Sequence, residues 1–431
     1  GTAFASLDGS QMMGFDRDDE VYVLVTPNDG TDNGTTVESD HAIVLNTAPS
    51  APTVTVTSAA NPPIEMVDDL TCTVVSPSTD IDGDSFTYTY TWYDPAGVDV
   101  QVVPQTSALS NVFSGANTTD GLWECDVQVS DGTDTNNASN NIEVEADWAG
   151  PLEFTNCGET GQTGPSQSQC DGAYAGTDLE GSVTVSSGIQ IWTVPVTGTY
   201  VIEAMGAAGN NGTSTAVGYG AQLSGEFVLT EGTELNILVG QFPGTTSTNG
   251  DGAGGGGSFV TQSPHVSQND ILIIAGGGGG GTSGGYNSAS DATTSTTAGT
   301  SQTGCSGGGG GNGGNVCGHS GSLSCAGQGG GFFTNGGVTD CGSIGANEVA
   351  RSYVNGGLGG VGSCGWFPYG GFGGGGGTGC GGAGGGGGYS GGGGSYSSGY
   401  AGGGASYNNG QNQNNQSGAN SDNGSVTIDK L

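Results

Sequence analysis

Basic side chains are almost missing from this chain. Three Lys and Arg residues stand against 41 Asp and Glu in 431 residues, a formal charge of −38. Repulsion on that scale excludes nucleic acid and anionic membrane surfaces as partners, while it favours solubility and cation binding. The one lysine, Lys430, excludes repeated Lys–Asn isopeptide cross-links as a strengthening device. Histidine is equally scarce: His41, His265 and His319 share no spacing with carboxylates that would suggest a metal site or a catalytic triad. No apolar run approaches the roughly 20 residues that span a bilayer, and no amphipathic helix stands out. The chain opens at Gly1 without a signal peptide, so an export signal, further domains or an anchor would have to lie upstream.

Motifs for catalysis fail on context. Gly388-Tyr389-Ser390-Gly391-Gly392 matches the hydrolase elbow formally, but no buried strand precedes it and no helix follows. Cys317, His319 and Cys325 could supply zinc ligands, yet ten cysteines in local pairs fit an oxidised disulfide framework better. That places the chain outside the cell, and the absence of a nameable general base, nucleophile or metal constellation argues against an enzyme. No cofactor is implied, calcium excepted.

What the chain has in excess is glycine, 93 residues, with uninterrupted runs at 276–281, 307–311 and 384–388. A flexible linker is the default reading of such runs. Phe332-Phe333, Trp366-Phe367, Tyr369, Phe372 and Tyr389 interrupt them, and six cysteines lie among them. Ordered glycine still needs partners for every peptide group. Extended threefold helices, which make no internal hydrogen bonds and pack closely where side chains are absent, meet that need by lateral bonding. A polyglycine-II-like bundle is therefore expected. The cysteines Cys305, Cys317, Cys325, Cys341, Cys364 and Cys380 allow fifteen pairings and would pin its loops.

The N-terminal third repeats itself. Val21–Asp32 (VYVLVTPNDGTD) and Trp123–Asp134 (WECDVQVSDGTD) align with an offset of 102 residues, one β-sandwich length. Alternating stretches such as 53–56, 86–90 and 125–129 have the period of half-buried strands. Cys72, Trp92 and Cys125 stand at immunoglobulin-like spacing, the tryptophan placed to cover a Cys72–Cys125 disulfide. Residues 49–147 form one sandwich and residues 1–48 a partial copy, either the end of a longer string of repeats or a fold completed by a neighbour's strand. Asp80, Asp82 and Asp84 alternate around Gly83, an arrangement that suits calcium or simply a polar turn.

Beyond Pro151, Cys157 and Cys170 would staple a short Gly/Ser loop within a connector, residues 148–182. Strands are expected at 189–194, 200–204, 222–229, 235–239 and 271–275, with 425–428 returning to the same sheet. Trp192–Tyr200, Gly206-Ala207-Ala208-Gly209, Gly220-Ala221-Gln222, Leu238–Gln241, Gly254–Val260 and Ile274-Ala275-Gly276 together resemble the glycine-rich module of the anaplastic lymphoma kinase and leukocyte tyrosine kinase receptor ectodomains, also present in bacterial surface proteins. The resemblance covers roughly residues 185–430. It implies a TNF-like jelly roll (183–280) with an inserted glycine bundle (281–423) and a closing strand (424–431). Receptors of that family bind small protein ligands on this module, but no short motif places the contact residues here, and the closing segment Ser425–Leu431 is too short to be a membrane span or a kinase, so signalling through a kinase is not implied.

The expected architecture is all-β: tandem immunoglobulin-like sandwiches, then a jelly roll carrying polyglycine. The expected function is an extracellular structural protein, a stalk of repeats with a rigid head that self-assembles into filaments or adheres to surfaces. Trp366, Phe367, Tyr369, Tyr396 and Tyr400 are the candidate contacts, or else plugs in the bundle. The alternative is a ligand-binding ectodomain that recognises a protein or a glycan.

Overall fold

A computed structural model describes residues 17–148, 150–210, 217–244, 251–282, 287–315, 326–337, 349–362, 368–379, 381–396 and 399–431. The chain divides into two compact units, 1–147 and 148–431. Both are built from antiparallel sheets.

In the first unit, two-residue strands β1 (Glu20–Val21), β2 (Leu24–Val25), β3 (Val37–Glu38) and β4 (Ala42–Ile43) form a hairpin in which β1 pairs β4 and β2 pairs β3. Seven strands follow: β5 (Thr53–Ser58), β6 (Leu70–Ser76), β7 (Thr87–Tyr93), β8 (Asp99–Thr106), β9 (Ser110–Phe113), β10 (Gly121–Ser130) and β11 (Thr135–Val144). They make a sandwich of two sheets, β5-β6-β9 and β11-β10-β7-β8. Alternation explains the burial. Tyr88, Tyr90 and Trp92 of β7 and Trp123, Cys125, Val127 and Val129 of β10 point inward against Val54, Leu70, Cys72 and Phe113. A Cys72–Cys125 disulfide joins the two sheets beside Trp92, whose indole N–H donates to Asn111 Oδ1 at 2.8 Å.

The repeat is visible in turn chemistry. Asp29 Oδ1 accepts from the N–H groups of Thr31 and Asp32 at 2.9 and 3.0 Å, and Asp131 Oδ1 accepts from Thr133 and Asp134, both at 2.7 Å. Gly30 and Gly132 follow with φ of 99° and 97°, the left-handed conformation that the turn demands. The two hairpins differ in what covers them. Cys125 and Val127 are fully buried, whereas their repeat equivalents Val23 and Val25 are 52% and 59% exposed.

The second unit is a larger sandwich. One sheet has the order β12 (Leu152–Phe154), β22 (Ser425–Lys430), β15 (Gly198–Met205), β16 (Gly220–Leu229) and β21 (Gln411–Asn420). The other runs β13 (Thr184–Ser186), β14 (Ile189–Thr193), β17 (Glu234–Leu238), β18 (Ser258–Gln262), β19 (Ile271–Ala275) and β20 (Tyr407–Asn408). Between them lie Phe154, Trp192, Tyr200, Ile202, Leu223, Leu235, Ile237, Ile273, Val426 and Ile428.

Three local readings of the sequence need correction. The stapled segment is not all loop: Gln167–Tyr174 is an α-helix, α1, started by a capping box in which Ser166 and Gln169 each bond the other's backbone. The connector is not separate from the sheet, since β12 pairs β22 through Leu152↔Ile428. And Gln411–Asn420, assigned to the glycine insertion, is a ten-residue strand paired to β16. Its Asn and Gln residues lack the apolar alternation by which strands are found.

The glycine segments run over this sandwich without ladder pairing, and their peptide groups bond sideways. The N–H groups of Gly277 and Gly280 donate to Gly387 and Gly384 at 2.7 and 2.8 Å. Those of Gly278 and Gly281 go to Ala207 and Asn210, and that of Gly279 goes to Ser290. The next segment repeats the pattern: Gly384 and Gly387 donate to Gly252 and Gly255, Gly385 and Gly388 to Gly327 and Gly330, and Gly386 and Tyr389 to Gly402 and Ala405. Partners recur every third residue. A segment therefore presents three bonding directions to three neighbours, which an α-helix or a two-sided strand cannot do. Phe332, Tyr353, Phe372 and Tyr389 close the bundle against Phe259 and Ile274, with Tyr353 stacked between Phe259 and Phe332 at 5.0 and 5.1 Å.

Candidate functional site

Asp80, Asp82 and Asp84 sit together in the segment between β6 and β7, with one carboxylate oxygen of each within 4.8 Å of the others. Gly83, at φ 78°, makes the turn that brings them round. Asp82 N–H donates to Asp80 Oδ1 at 2.6 Å, and Asp80 Oδ2 is buried without a hydrogen-bond partner. The segments flanking the first hairpin supply the remaining contacts. Thr47 N–H donates to Asp82 Oδ2 at 2.7 Å, and the Arg17 guanidinium pairs with Asp84 and donates to Asn46 Oδ1. Asn46 Nδ2 reaches the other acidic turn of the sandwich, donating to Asp131 Oδ2 at 3.0 Å and Asp134 Oδ2 at 2.8 Å. Arg17 pairs directly with Asp84 and Asp18, and through Asn46 it is linked to Asp131 and Asp134. The set could hold a divalent cation through hard oxygens, with Arg17 supplying part of the positive charge. Neither Arg17 nor Asn46 is recoverable from sequence, because each acts from outside the repeat whose turn it braces.

Asp131 is held below the usual carboxylate range, first by the Asn46 amide and then by the backbone N–H groups of Asp134 and Thr133. Asp29 is lowered by the backbone groups alone. Because both folded values are depressed, their contributions to stability are present above the unfolded carboxylate pKa and are lost as pH falls through the folded values. Asn46→Ala is expected to raise the Asp131 pKa toward that of a free carboxylate while leaving Asp29 unmoved. Carbon-detected NMR titration of the two carboxyls checks it; equal movement of both would deny Asn46 its part.

The cysteines Cys157 and Cys170 are bonded to each other, tying β12 to α1, and Cys305 is disulfide-bonded as well. Cys317, Cys325, Cys341, Cys364 and Cys380, together with His319, Trp366 and Phe367, lie outside the described residues. Of the other candidate contacts, Tyr369 is 48% exposed, whereas Tyr396 and Tyr400 are half-buried. Ser390 is fully buried. Its Oγ donates to the Thr296 carbonyl at 2.8 Å and accepts from Gly311 N–H at 3.0 Å, a structural role within the bundle. His41 stacks on Tyr22 between Glu20 and Glu38, each 2.7 Å from a ring nitrogen. Those carboxylates, Glu38 first, raise its pKa. His265 lies far from it in the chain, on Thr261, with its pKa lowered chiefly by burial. Among the described residues no helix is long and apolar enough to cross a membrane.

No protein-family model matches the chain. Over 97 residues it is 44% identical to the leukocyte tyrosine kinase receptor of the mouse, a stretch amounting to 21% of this chain and 11% of the receptor. The similarity lies with the receptor's ectodomain rather than its catalytic domain. The chain therefore resembles, over about a fifth of its length, part of a receptor ectodomain, and with its disulfides this is consistent with an extracellular location.

Proposed function

We propose that this chain is a non-enzymatic extracellular structural protein, in which immunoglobulin-like repeats carry a rigid glycine-rich head that self-associates or adheres. The observation that carries the reading is the threefold recurrence of lateral hydrogen bonds among the glycine segments. It supports a polyglycine-II-like bundle inserted in a jelly roll. Such a bundle is stiff because each strand is bonded on three sides, and it devotes few side chains to forming a pocket. Calcium at Asp80, Asp82 and Asp84 belongs to this proposal as an ion that stiffens the repeat unit.

Electron microscopy of the protein at rising concentration, with calcium and then with a chelator, tests both parts. Regular polymers or discrete oligomers are expected. Monomers at every concentration would overturn the self-association reading, and identical melting of the 17–147 unit with and without calcium would remove the ion. A second reading, a ligand-binding ectodomain, is favoured by the receptor similarity. It requires saturable binding of a protein or glycan by the monomer, measured by surface plasmon resonance.

A further inference from the structure

The five-stranded sheet of the second unit has two very different edges. One is β12, three residues long, preceded by Pro151 and carrying Glu153. Brevity, proline and charge are the devices by which sheets avoid pairing with other chains. The opposite edge is β21, ten residues with no charge and no proline, QNQNNQSGAN, and Gln411 through Ser417 are all exposed. Asn412 and Gly418 have φ of 47° and 58°, which leaves Gln413–Ser417 as the regular span between two irregular positions.

Side chains along this span fall into two sets. Gln413 and Asn415 are engaged on the face shared with Leu223: Gln413 Nε2 donates to the carbonyls of Asn408 and Gly410, and Asn415 bonds Asn408 and Gln413. Asn414 and Gln416 lie on the outer face, opposite Ser224 and Gln222 of β16. Both are exposed. Asn and Gln amides donate and accept equally, so a row of them complements itself, as amide ladders between stacked strands do.

Charge selects the occupant. Another copy of a chain at −38 is repelled wherever two acidic surfaces meet; β21 carries no charge itself, and the carboxylates against it, Glu226 at Asn412 and Asp291 at Gly418, lie at its two ends, outside the Gln413–Ser417 span. We propose that β21 is a self-pairing edge, joining antiparallel to β21 of a second copy about a two-fold axis near Asn415, with Asn414 opposite Gln416 of the partner. The proposal rests on the self-association reading and gives it a contact. Such an isologous pairing closes as a dimer. A five-residue strand pairing covers well under the roughly 800 Å² per partner of stable complexes, so the dimer forms at high protein concentration.

The test is sedimentation equilibrium of the full chain, as wild type, Asn414→Lys/Gln416→Lys and Asn414→Glu/Gln416→Glu. Lysine reduces the net negative charge, so general electrostatics would strengthen association. Edge pairing instead places like charges opposite one another twice and predicts dimerisation weakened by about tenfold or more. Mixing the lysine and glutamate variants should restore a heterodimer. Wild-type association that the lysine variant leaves unchanged or strengthens overturns β21 as the contact while leaving self-association standing. A wild type monomeric throughout overturns both.

Discussion

Gly256→Ala should lower the melting temperature of the glycine-rich unit by about 6–12 °C, from a loss of about 3 kcal/mol for overpacking a site that cannot relax. A methyl group at Gly256 would meet the carbonyl oxygen of Phe372 at a separation no real Cβ adopts, and the same carbonyl already accepts the N–H of Gln241. Relief requires moving backbone. That breaks lateral bonds to both neighbours, and buried peptide groups left unpaired cost more than the bond itself was worth. Gly254 is in the same position against Gly385. The contrast is Gly172 in α1, exposed, with no atom within 4 Å of an added methyl. There alanine should stabilise slightly, by about 0.5–1 kcal/mol, because glycine is the poorer helix former. Differential scanning calorimetry of the two variants checks the opposite signs. A Gly256→Ala protein that melts with the wild type would mean the segment is not packed as described.

Removing the disulfide of the repeat unit is expected to cost about 4 kcal/mol, from the chain entropy released when a 53-residue separation is no longer closed. Cys72 and Cys125 are fully buried beside Trp92, so Cys72→Ala/Cys125→Ala also leaves a small void in the centre of the sandwich. Against an ordinary domain stability of about 5–15 kcal/mol this is a large fraction. The corresponding loss for Cys157→Ala/Cys170→Ala, with a separation of 13, is about 3 kcal/mol. Guanidinium titrations of both double variants measure the difference. A smaller effect at Cys72–Cys125 than at Cys157–Cys170 would show that loop entropy does not dominate.

Strands with apolar alternation were legible because period-two burial writes itself into composition. Tyr88, Tyr90 and Trp92, or Ile202 and Ala204, mark an inward face whatever lies opposite. The strand β21 was not legible, since its amides gain nothing from burial and it pairs only because β16 offers an open edge. The helix α1 carried its signal in Ser166 and Gln169, a capping box set in a segment otherwise rich in glycine and serine. The acidic turn was half legible: alternate carboxylates around Gly83 are local, but Arg17, Asn46 and Thr47, which brace it, are 67, 38 and 37 residues from Asp84.

By itself the sequence determined that this is a β-rich, oxidised, strongly acidic chain, with a 102-residue repeat and a glycine region too decorated with aromatics to be a linker. Those properties follow from composition, charge and short-range period, which need no partner in space. Which glycine bonds which was decided by tertiary structure alone. A residue without a side chain carries no label for its neighbour, so the threefold sorting of Gly277–Gly281 and Gly384–Gly388 among their partners exists only once the sandwich beneath has placed those segments side by side.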